Sequence, residues 1–418
     1  MTPTPILAIT DHIAAAHMDT VPTNSQCEAD YGLACYTGKQ LRTAYDLAPL
    51  YQHGITGAGR TIVLVDGYDD PTLQQDLDTY DAAMGLPNTT VTVRKSGDVP
   101  PFDPSNAEME GWAGETELDV EIAHLYAPGA KIVVAAAGVD ATGDVEFPQL
   151  MAAVKSAVGD GGDVASMSWG DFEQNFYDPQ SGYSQLTGLR GAFQDALDHH
   201  VTLVAATGDT GAAGIDDATG DLTTVPEVSW PASDPDVVAA GGTELNLNAA
   251  GNRISPDVVW NDGSLGYGAG GGGRSVVFPR PAYQNTVASV AGNHRTIPDI
   301  STSSAVNGGA LIYWSADTGL PGWAIVGGTS ESSPMVAAIT ALADQAAGYR
   351  LGSLDDELYA LQHYVGYNRL SGLIQVTQGD NTWGGVTGYS AGPGYNPATG
   401  LGTFNADQLV NALARSGR

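Results

Sequence analysis

A serine that follows a glycine-rich turn is the first residue in this chain that could act as a nucleophile. Residues 323–334 predict a strand, a Gly-Gly turn and a helix start, and the proline that ends the segment suits a first helical turn. Ser330 would then lie near a helix N-terminus, where free N–H groups favour a developing oxyanion. The alternative is a serine cluster that caps the helix through Ser332 or Ser333. Capping leaves the preceding Gly-Gly-Thr-Ser unexplained.

Two carboxylates four residues apart could supply a general base. Glu115 and Asp119 lie in a predicted helix over residues 114–127, on the same face as its apolar side chains. The opposite face, where we expect solvent, carries Glu117, Glu121 and His124. Neighbouring inward carboxyls perturb each other, so that one can hold a proton that the other lacks. The alternative is a pair of acids that only favours the helix N-terminus.

A third acid, Asp209, follows a predicted strand over residues 201–207 in a Gly-Asp-Thr-Gly turn. Catalytic groups gather at the carboxyl ends of parallel strands, although an ordinary Asp-centred turn would look the same. None of the eight histidines lies in a sequence context that suits a Ser-His-Asp triad, and no G-x-S-x-G motif surrounds Ser330. The base should therefore be a carboxylate.

Alternating strands and helices must position these residues. Strands are predicted over residues 61–66, 131–137, 164–169, 201–207 and 323–326, and helices over residues 72–84, 114–127, 147–158, 186–199 and 334–347. This order predicts an α/β fold with a mostly parallel central sheet and helices on both faces. Residues 1–40 are interpreted as an irregular N-terminal arm and residues 41–418 as a single domain. The glycine run 268–273 is interpreted as a tight backbone segment inside that domain.

Composition restricts the partners and the compartment. The 418 residues include 16 Lys and Arg against 48 Asp and Glu, a formal net charge of -32, which disfavours nucleic acid and anionic membranes. Such a surface suits an acidic medium, a high-salt habitat or an ordinary acidic extracellular protein. Cys27 and Cys35 predict a small disulfide and an oxidising compartment, with two free thiols as the alternative. No stretch approaches the ~20 apolar residues of a membrane span. Residues 1–25 do not resemble a signal peptide, so we expect secretion through a targeting segment absent from this chain.

Taken together, the motifs resemble the sedolisin family of serine-carboxyl peptidases, which has a subtilisin-like fold. The family's helical Glu and Asp match Glu115 and Asp119, its Gly-Asp-x-Gly turn matches Asp209, and its Gly-Thr-Ser-x-x-x-Pro matches Ser330 with Pro334. Further matching segments are residues 127–130, 166–170, 231–233, 241–243, 270–275, 298–299, 392–395 and 399–402. The resemblance covers about residues 40–410 and implies a secreted, acid-acting serine peptidase, monomeric, with protein or peptide substrates.

The resemblance also implies the role of each site residue. Glu115 is the general base for Ser330, Asp119 holds Glu115, and a protonated Asp209 donates to the oxyanion. The strand Ser168, Trp169 and Gly170 would pair with an extended substrate. No cofactor is required for the chemistry. We expect a bell-shaped pH profile centred below about pH 5.5, since Asp209 must hold a proton whose unperturbed pKa is ~3.9.

A calcium site is a family feature that this chain matches poorly. Its two carboxylates correspond to Gln375 and Asn396, and its main-chain ligands to Val376, Gly392 and Gly394. Calcium prefers charged oxygen ligands, so the resemblance implies at most a degenerate site. The resemblance also implies a long N-terminal prosegment, which these residues do not match, so we expect either a mature form or a family member without one.

Two other functions stay open at this point. The chain could be a catalytically silent relative that binds peptides, although all four catalytic candidates are present. It could instead be a subtilisin-type hydrolase that uses Asp66, which would require a histidine base.

Overall fold

Apolar segments of the chain form a central sheet of eight strands, all parallel except one short edge strand. The computed structural model describes residues 4–5, 18, 20–159, 161–316 and 322–416. The parallel strands follow in the spatial order Ile300–Ser303, Val238–Glu244, Thr202–Ala206, Val164–Met167, Thr61–Gly67, Lys131–Ala137 and Thr92–Ser96. The short strand Val258–Val259 pairs antiparallel with Val238–Glu244. Most of these strands are buried along nearly their whole length, as is typical of parallel sheets.

Helices cover both faces of this sheet, which confirms the predicted α/β class. One face packs against Ala107–Tyr126, here called the acid helix, and Thr329–Ala347, here called the serine helix. The other face packs against Phe147–Gly159 and Gly191–Asp198. Because the sheet separates two apolar clusters, the acid helix and the serine helix lie side by side on the same face.

The remaining elements lie around this core. Helices span Asn24–Tyr31, Gly38–Ala44, Ala48–Gln52, Leu73–Met84, Ser184–Leu189, Ala288–Ala291, Asp355–Tyr364 and Ala406–Ser416, with 3₁₀ turns at Glu173–Phe176 and Ala282–Val287. Other strands span Thr4–Pro5, Cys35–Tyr36, Trp169–Phe172, Ala213–Ile215, Leu222–Pro226, Ser229–Trp230, Gly273–Pro279, His294–Ile297, Gly309–Trp314, Gly322–Val326, Leu373–Ile374 and Thr403–Phe404. None of the described helices is both long and apolar enough to cross a bilayer.

Three sequence-based element predictions were wrong in detail. The helix predicted over residues 186–199 is two helices, because Gly188 and Gly191 weaken the helix where it breaks. The strand predicted over residues 323–326 lies outside the main sheet, where it pairs antiparallel with Gly309–Trp314. The strand predicted over residues 164–169 ends at Met167, after which Trp169–Phe172 pairs with Ser229–Trp230.

The described part of the N-terminal segment is more regular than expected. A capping box at Thr23 begins the helix Asn24–Tyr31. The expected disulfide joins Cys27 to Cys35 and is confirmed. Both cysteines pack on the apolar cluster that contains the serine helix. Much of residues 1–19 lies outside the described residues, and the boundary at residue 40 stays a prediction.

In the glycine run 268–273 the backbone packs closely against another segment of the same chain. A Cβ atom on Gly271 would lie 2.1 Å from the carbonyl oxygen of Thr207, and the Gly271 N–H donates to the Gly208 carbonyl at 2.7 Å. Only glycine fits this position. The run therefore supports the backbone immediately before Asp209 from inside the fold.

Candidate active site

The acid helix begins earlier than the sequence predicted and is buried on every side. Asn106 caps it, since its side-chain oxygen accepts the N–H groups of Glu108 and Met109. The helix starts at Ala107 rather than at residue 114. Every residue from Trp112 to Tyr126 is buried. The expectation that Glu117, Glu121 and His124 face solvent was therefore wrong: the helix Leu73–Met84 and the strand Gly309–Trp314 cover that face.

The serine helix starts five residues before its proline. Gly328, with φ 111°, precedes the helix, and no side chain caps it. The capping role considered for Ser332 and Ser333 was wrong, because both lie within the helix and hydrogen-bond Thr302 and Ser166 across to the sheet. Since proline has no N–H, it cannot donate to the carbonyl of Ser330. The Ser168 hydroxyl lies 3.5 Å from that carbonyl instead.

Glu115, Asp119 and Ser330 meet where the two helices pack together. Burial raises the pKa of Glu115 well above its usual value, while the nearby Ser330 and Ser168 hydroxyls oppose the rise. Ser168 also donates to Asp119 at 2.7 Å, and burial raises the pKa of Asp119 in the same direction. The structure therefore brings the predicted nucleophile close to the predicted base, with Ser168 beside both acids.

Asp66 is a further carboxyl at this site. It is the penultimate residue of the strand Thr61–Gly67, and burial raises its pKa to about 7. Its charge raises the pKa of both Glu115 and Asp119, so it lies close to each. Neither of its oxygens has a hydrogen-bond partner among the described residues, histidines included. The sequence signal that could have found this role was the position of Asp66 at the carboxyl end of a central strand.

Asp209 approaches the site from the turn that follows Thr202–Ala206. Thr329 donates to its Oδ1 atom through both the backbone N–H, at 2.8 Å, and the hydroxyl, at 2.9 Å. The other oxygen, Oδ2, is buried and has no hydrogen-bond partner within the described part of the chain. Burial raises the pKa of Asp209 to about 7, and the Thr329 bonds only partly offset this. A protonated Oδ2 is thus available as a hydrogen-bond donor at acidic pH.

The strand Trp169–Phe172 borders this site and already holds a neighbouring strand. One edge pairs with Ser229–Trp230, and the other pairs antiparallel with Thr4–Pro5, with Thr4 opposite Gly170 and Pro5 opposite Trp169. The indole of Trp169 is buried and donates to the Val65 carbonyl at 2.7 Å, which fixes the strand. The edge is therefore able to accept an extended segment.

The C-terminal turn, comprising Gln375, Val376, Gly392, Gly394 and Asn396, uses its side chains internally. The Asn396 amide nitrogen lies 3.4 Å from the Val376 carbonyl, and the Gln375 amide oxygen accepts the Gly394 N–H at 2.9 Å. Across the described ranges, no group of three or more His, Cys, Asp and Glu could hold a metal ion. An amide nitrogen directed at a carbonyl does not fit a calcium ion, which prefers charged oxygen ligands. That the chain does without calcium stays a prediction.

Comparison with known proteins places this geometry in a family. The Subtilase family model matches residues 111–365. Kumamolisin of Bacillus sp. (strain MN-32) is 34% identical over 392 residues, which cover 90% of this chain and 64% of that protein. Sedolisin of Pseudomonas sp. (strain 101) is 29% identical over 374 residues, which cover 87% of this chain and 59% of that protein. The chain therefore spans less than two thirds of the length of either relative.

A solved structure with a similar fold supports the same assignment. Pseudomonas sedolisin, described as a serine-carboxyl proteinase in complex with pseudo-iodotyrostatin, superimposes with a TM-score of 0.76 at 28% identity. The match covers 92% of this chain and 100% of that chain. With the family model and the arrangement of the acids and the serine, these similarities show that the chain belongs to the subtilase family and, within it, to the sedolisin group of serine-carboxyl peptidases.

Proposed function

We propose that this chain is an acid-acting serine peptidase that hydrolyses peptide bonds through Ser330, Glu115 and Asp119, with Asp209 as oxyanion donor. The observation that carries the proposal is the proximity of the Ser330 hydroxyl to the Glu115 carboxyl, at a site where neither Glu115 nor Asp66 has a histidine hydrogen-bond partner among the described residues. Serine needs a base to become a nucleophile, and Glu115 is the base within reach.

The first half-reaction forms an acyl-enzyme. Glu115 takes the proton of the Ser330 hydroxyl while the serine oxygen bonds to the peptide carbonyl carbon. The carbonyl oxygen becomes an oxyanion, which accepts hydrogen bonds from the protonated Oδ2 of Asp209 and from the Ser330 N–H. That N–H belongs to the first turn of the serine helix, where the helix dipole favours a developing negative charge. The C–N bond then breaks, and the leaving amine takes the proton from Glu115.

The second half-reaction repeats these steps with water. Glu115 accepts a proton from the attacking water, and the ester bond to Ser330 breaks as the proton returns to the serine oxygen. Asp119, held by Ser168, keeps Glu115 in position, and the charge of Glu115 raises the pKa of Asp119. Asp66 in turn raises the pKa of Glu115, which favours the role of Glu115 as proton acceptor.

The substrates of this proposal are proteins or peptides in an extended conformation. A substrate strand would pair with Trp169 and Gly170, as Thr4–Pro5 does in this structure. The net charge of -32 argues against nucleic acid as a partner, and we propose a monomer. The disulfide Cys27–Cys35 and the acidic surface support an oxidising, acidic extracellular location.

The test is to incubate the purified chain with an unfolded protein at several pH values and to map the cut sites by mass spectrometry. The proposal expects cleavage in acid that a Ser330→Ala variant lacks, and covalent capture of a peptide aldehyde by the unmodified chain alone. Binding of peptides without cleavage or capture would favour the silent relative. Cleavage with an optimum at or above neutrality would refute the carboxylate mechanism.

A further inference from the structure

A second group of buried acids lies where the acid helix packs against the helix Leu73–Met84, on the side away from Ser330. We call it the second carboxyl set; it consists of Asp70, Asp76, Asp81, Glu117 and Glu121. All five are at most 6% exposed, and the proposed catalytic mechanism uses none of them. Carboxyls buried at this depth are costly when ionised, so their presence needs a reason.

Two members of this set hold the hairpin that covers the acid helix, formed by Gly309–Trp314 and Gly322–Val326. Glu121 accepts the backbone N–H of Tyr313 at 3.0 Å. Asp76 accepts the backbone N–H of Ser315 at 2.8 Å and the Ser315 hydroxyl at 2.7 Å. The hairpin is therefore attached to the two helices beneath it through carboxyl oxygens.

Glu117 and Asp70 form a carboxyl pair at one end of the set. Burial raises the pKa of Glu117 well above its usual value, and its interaction with Asp70 raises it further. The same contact opposes the increase in the pKa of Asp70. Two buried carboxyls this close together are more stable when at least one of them is protonated.

Few positive charges face the set from the elements packed around it. From the acid helix, His124 lies 3.3 Å from Asp81. Tyr80 projects from the helix Leu73–Met84 and interacts with Arg42 of the helix Gly38–Ala44 and with Glu331 of the serine helix. The hairpin contributes Tyr313. One histidine and one arginine thus face five carboxyls and a further buried glutamate.

We propose that the second carboxyl set is a proton-dependent latch, which holds the hairpin and the helix Leu73–Met84 against the acid helix in acid and releases them as the pH rises. Protonated carboxyls can share protons with one another and bury at little cost, whereas ionised neighbours repel. Because the same helix carries Glu115 and Asp119, release would also misplace the catalytic acids.

The direction of the pH dependence follows from the raised pKa values of two glutamates in the set. Glu117 and Glu121 are more readily protonated in the folded chain than in the unfolded chain. Their contribution to stability is complete below the unfolded pKa of ~4.3 and is lost as the pH rises through the folded pKa. The latch therefore closes in acid and opens towards neutral pH.

The test is hydrogen exchange of the hairpin, measured at pH 4 and pH 7.5 in full-length chains that carry Ser330→Ala to prevent self-cleavage. Glu117→Gln and Glu121→Gln replace a protonated carboxyl with a neutral amide of the same shape. Asp78→Asn, at an exposed position of the helix Leu73–Met84, is the matched control. The parent and the control should lose at least ~10-fold in hairpin protection factor at pH 7.5, since one pKa unit corresponds to a tenfold change in equilibrium. Both glutamine variants should retain more protection.

Unchanged protection in the parent at pH 7.5 would overturn the latch, and so would equal losses in the glutamine variants and the control. If one glutamine variant fails to fold at pH 4, the comparison of the other glutamine variant with the parent and the control still tests the latch. If both fail at pH 4, the proposal is also wrong, because it requires these carboxyls to be neutral there. Hairpin exchange does not depend on peptidase activity, so this result stands apart from the proposed function.

Discussion

The substitution Asp209→Asn isolates the oxyanion donor because Asn can reproduce the hydrogen bonds seen at this position. Its Oδ1 can accept both bonds from Thr329, as Asp209 Oδ1 does. Its Nδ2 then takes the place of Oδ2, which has no partner among the described residues and is the atom that must carry the proton. The variant thus keeps a donor that does not titrate.

The magnitude follows from the pKa of Asp209, which burial raises to about 7. The carboxyl is then about 99% protonated at pH 5 and about 10% protonated at pH 8. The raised pKa moves the alkaline limit of activity to a higher pH than an unperturbed Asp would give. The pH–activity profile still lies on the acidic side. The ionised form loses the donor and places a negative charge opposite the oxyanion, so activity should fall steeply above pH 7. Complete loss of one oxyanion donor costs about 10²–10³ in kcat.

The assay is kcat/KM on a fluorogenic peptide from pH 3 to pH 9 for the parent, Asp209→Asn and Asp209→Ala. The parent should show an alkaline limb near pH 7, and Asp209→Asn should lose that limb at whatever activity it retains. Asp209→Ala, which has no donor, should be lower than the parent by about 10²–10³ below pH 7, and the difference should shrink at higher pH as the parent loses its own donor. An alkaline limb that persists in Asp209→Asn at the parental pH would show that another group titrates and that Asp209 is not the donor.

Three further predictions concern the rest of the chain. Ser330→Ala should abolish cleavage and leave the melting temperature unchanged, and turnover by the purified variant would contradict the assignment. Ser332→Ala should keep activity but lower the free energy of unfolding by about 1–3 kcal/mol, because it loses a buried hydrogen bond. Glu115→Gln should lose nearly all activity at every pH, while the control Glu28→Gln, at an exposed position, should match the parent. Similar rates in the two variants would exclude Glu115 as the base. A chelator should leave the melting temperature unchanged because the C-terminal turn uses its amides internally, and a drop reversed by added calcium would refute this.

The sequence predicted the class of the fold and the four candidate catalytic residues because both depend on local patterns. Buried strands read as apolar runs, and the acids and the serine are short motifs at strand and helix ends. The surroundings of the acid helix depend on which elements fold over it. Glu117 has the helical phase of a surface residue, but a hairpin from almost two hundred residues later covers that face. No periodicity within one helix contains that information.

The start of the serine helix was misplaced for a related reason. Proline is common in a first helical turn, so Pro334 suggested a start near itself. In this chain the proline lies inside the helix, and the Ser330 carbonyl, to which Pro334 cannot donate, lies close to Ser168, which directly follows the strand Val164–Met167. That compensation depends on tertiary structure.

Thr329 links the two halves of the proposed site. Its hydroxyl accepts the Gly208 N–H and donates to Asp209, while its backbone begins the helix that carries Ser330. Thermal motion that displaces the turn at Asp209 must therefore displace the first turn of the helix as well. We therefore expect Ser330 and Asp209 to keep their mutual alignment as long as Thr329 keeps its hydrogen bonds to the turn.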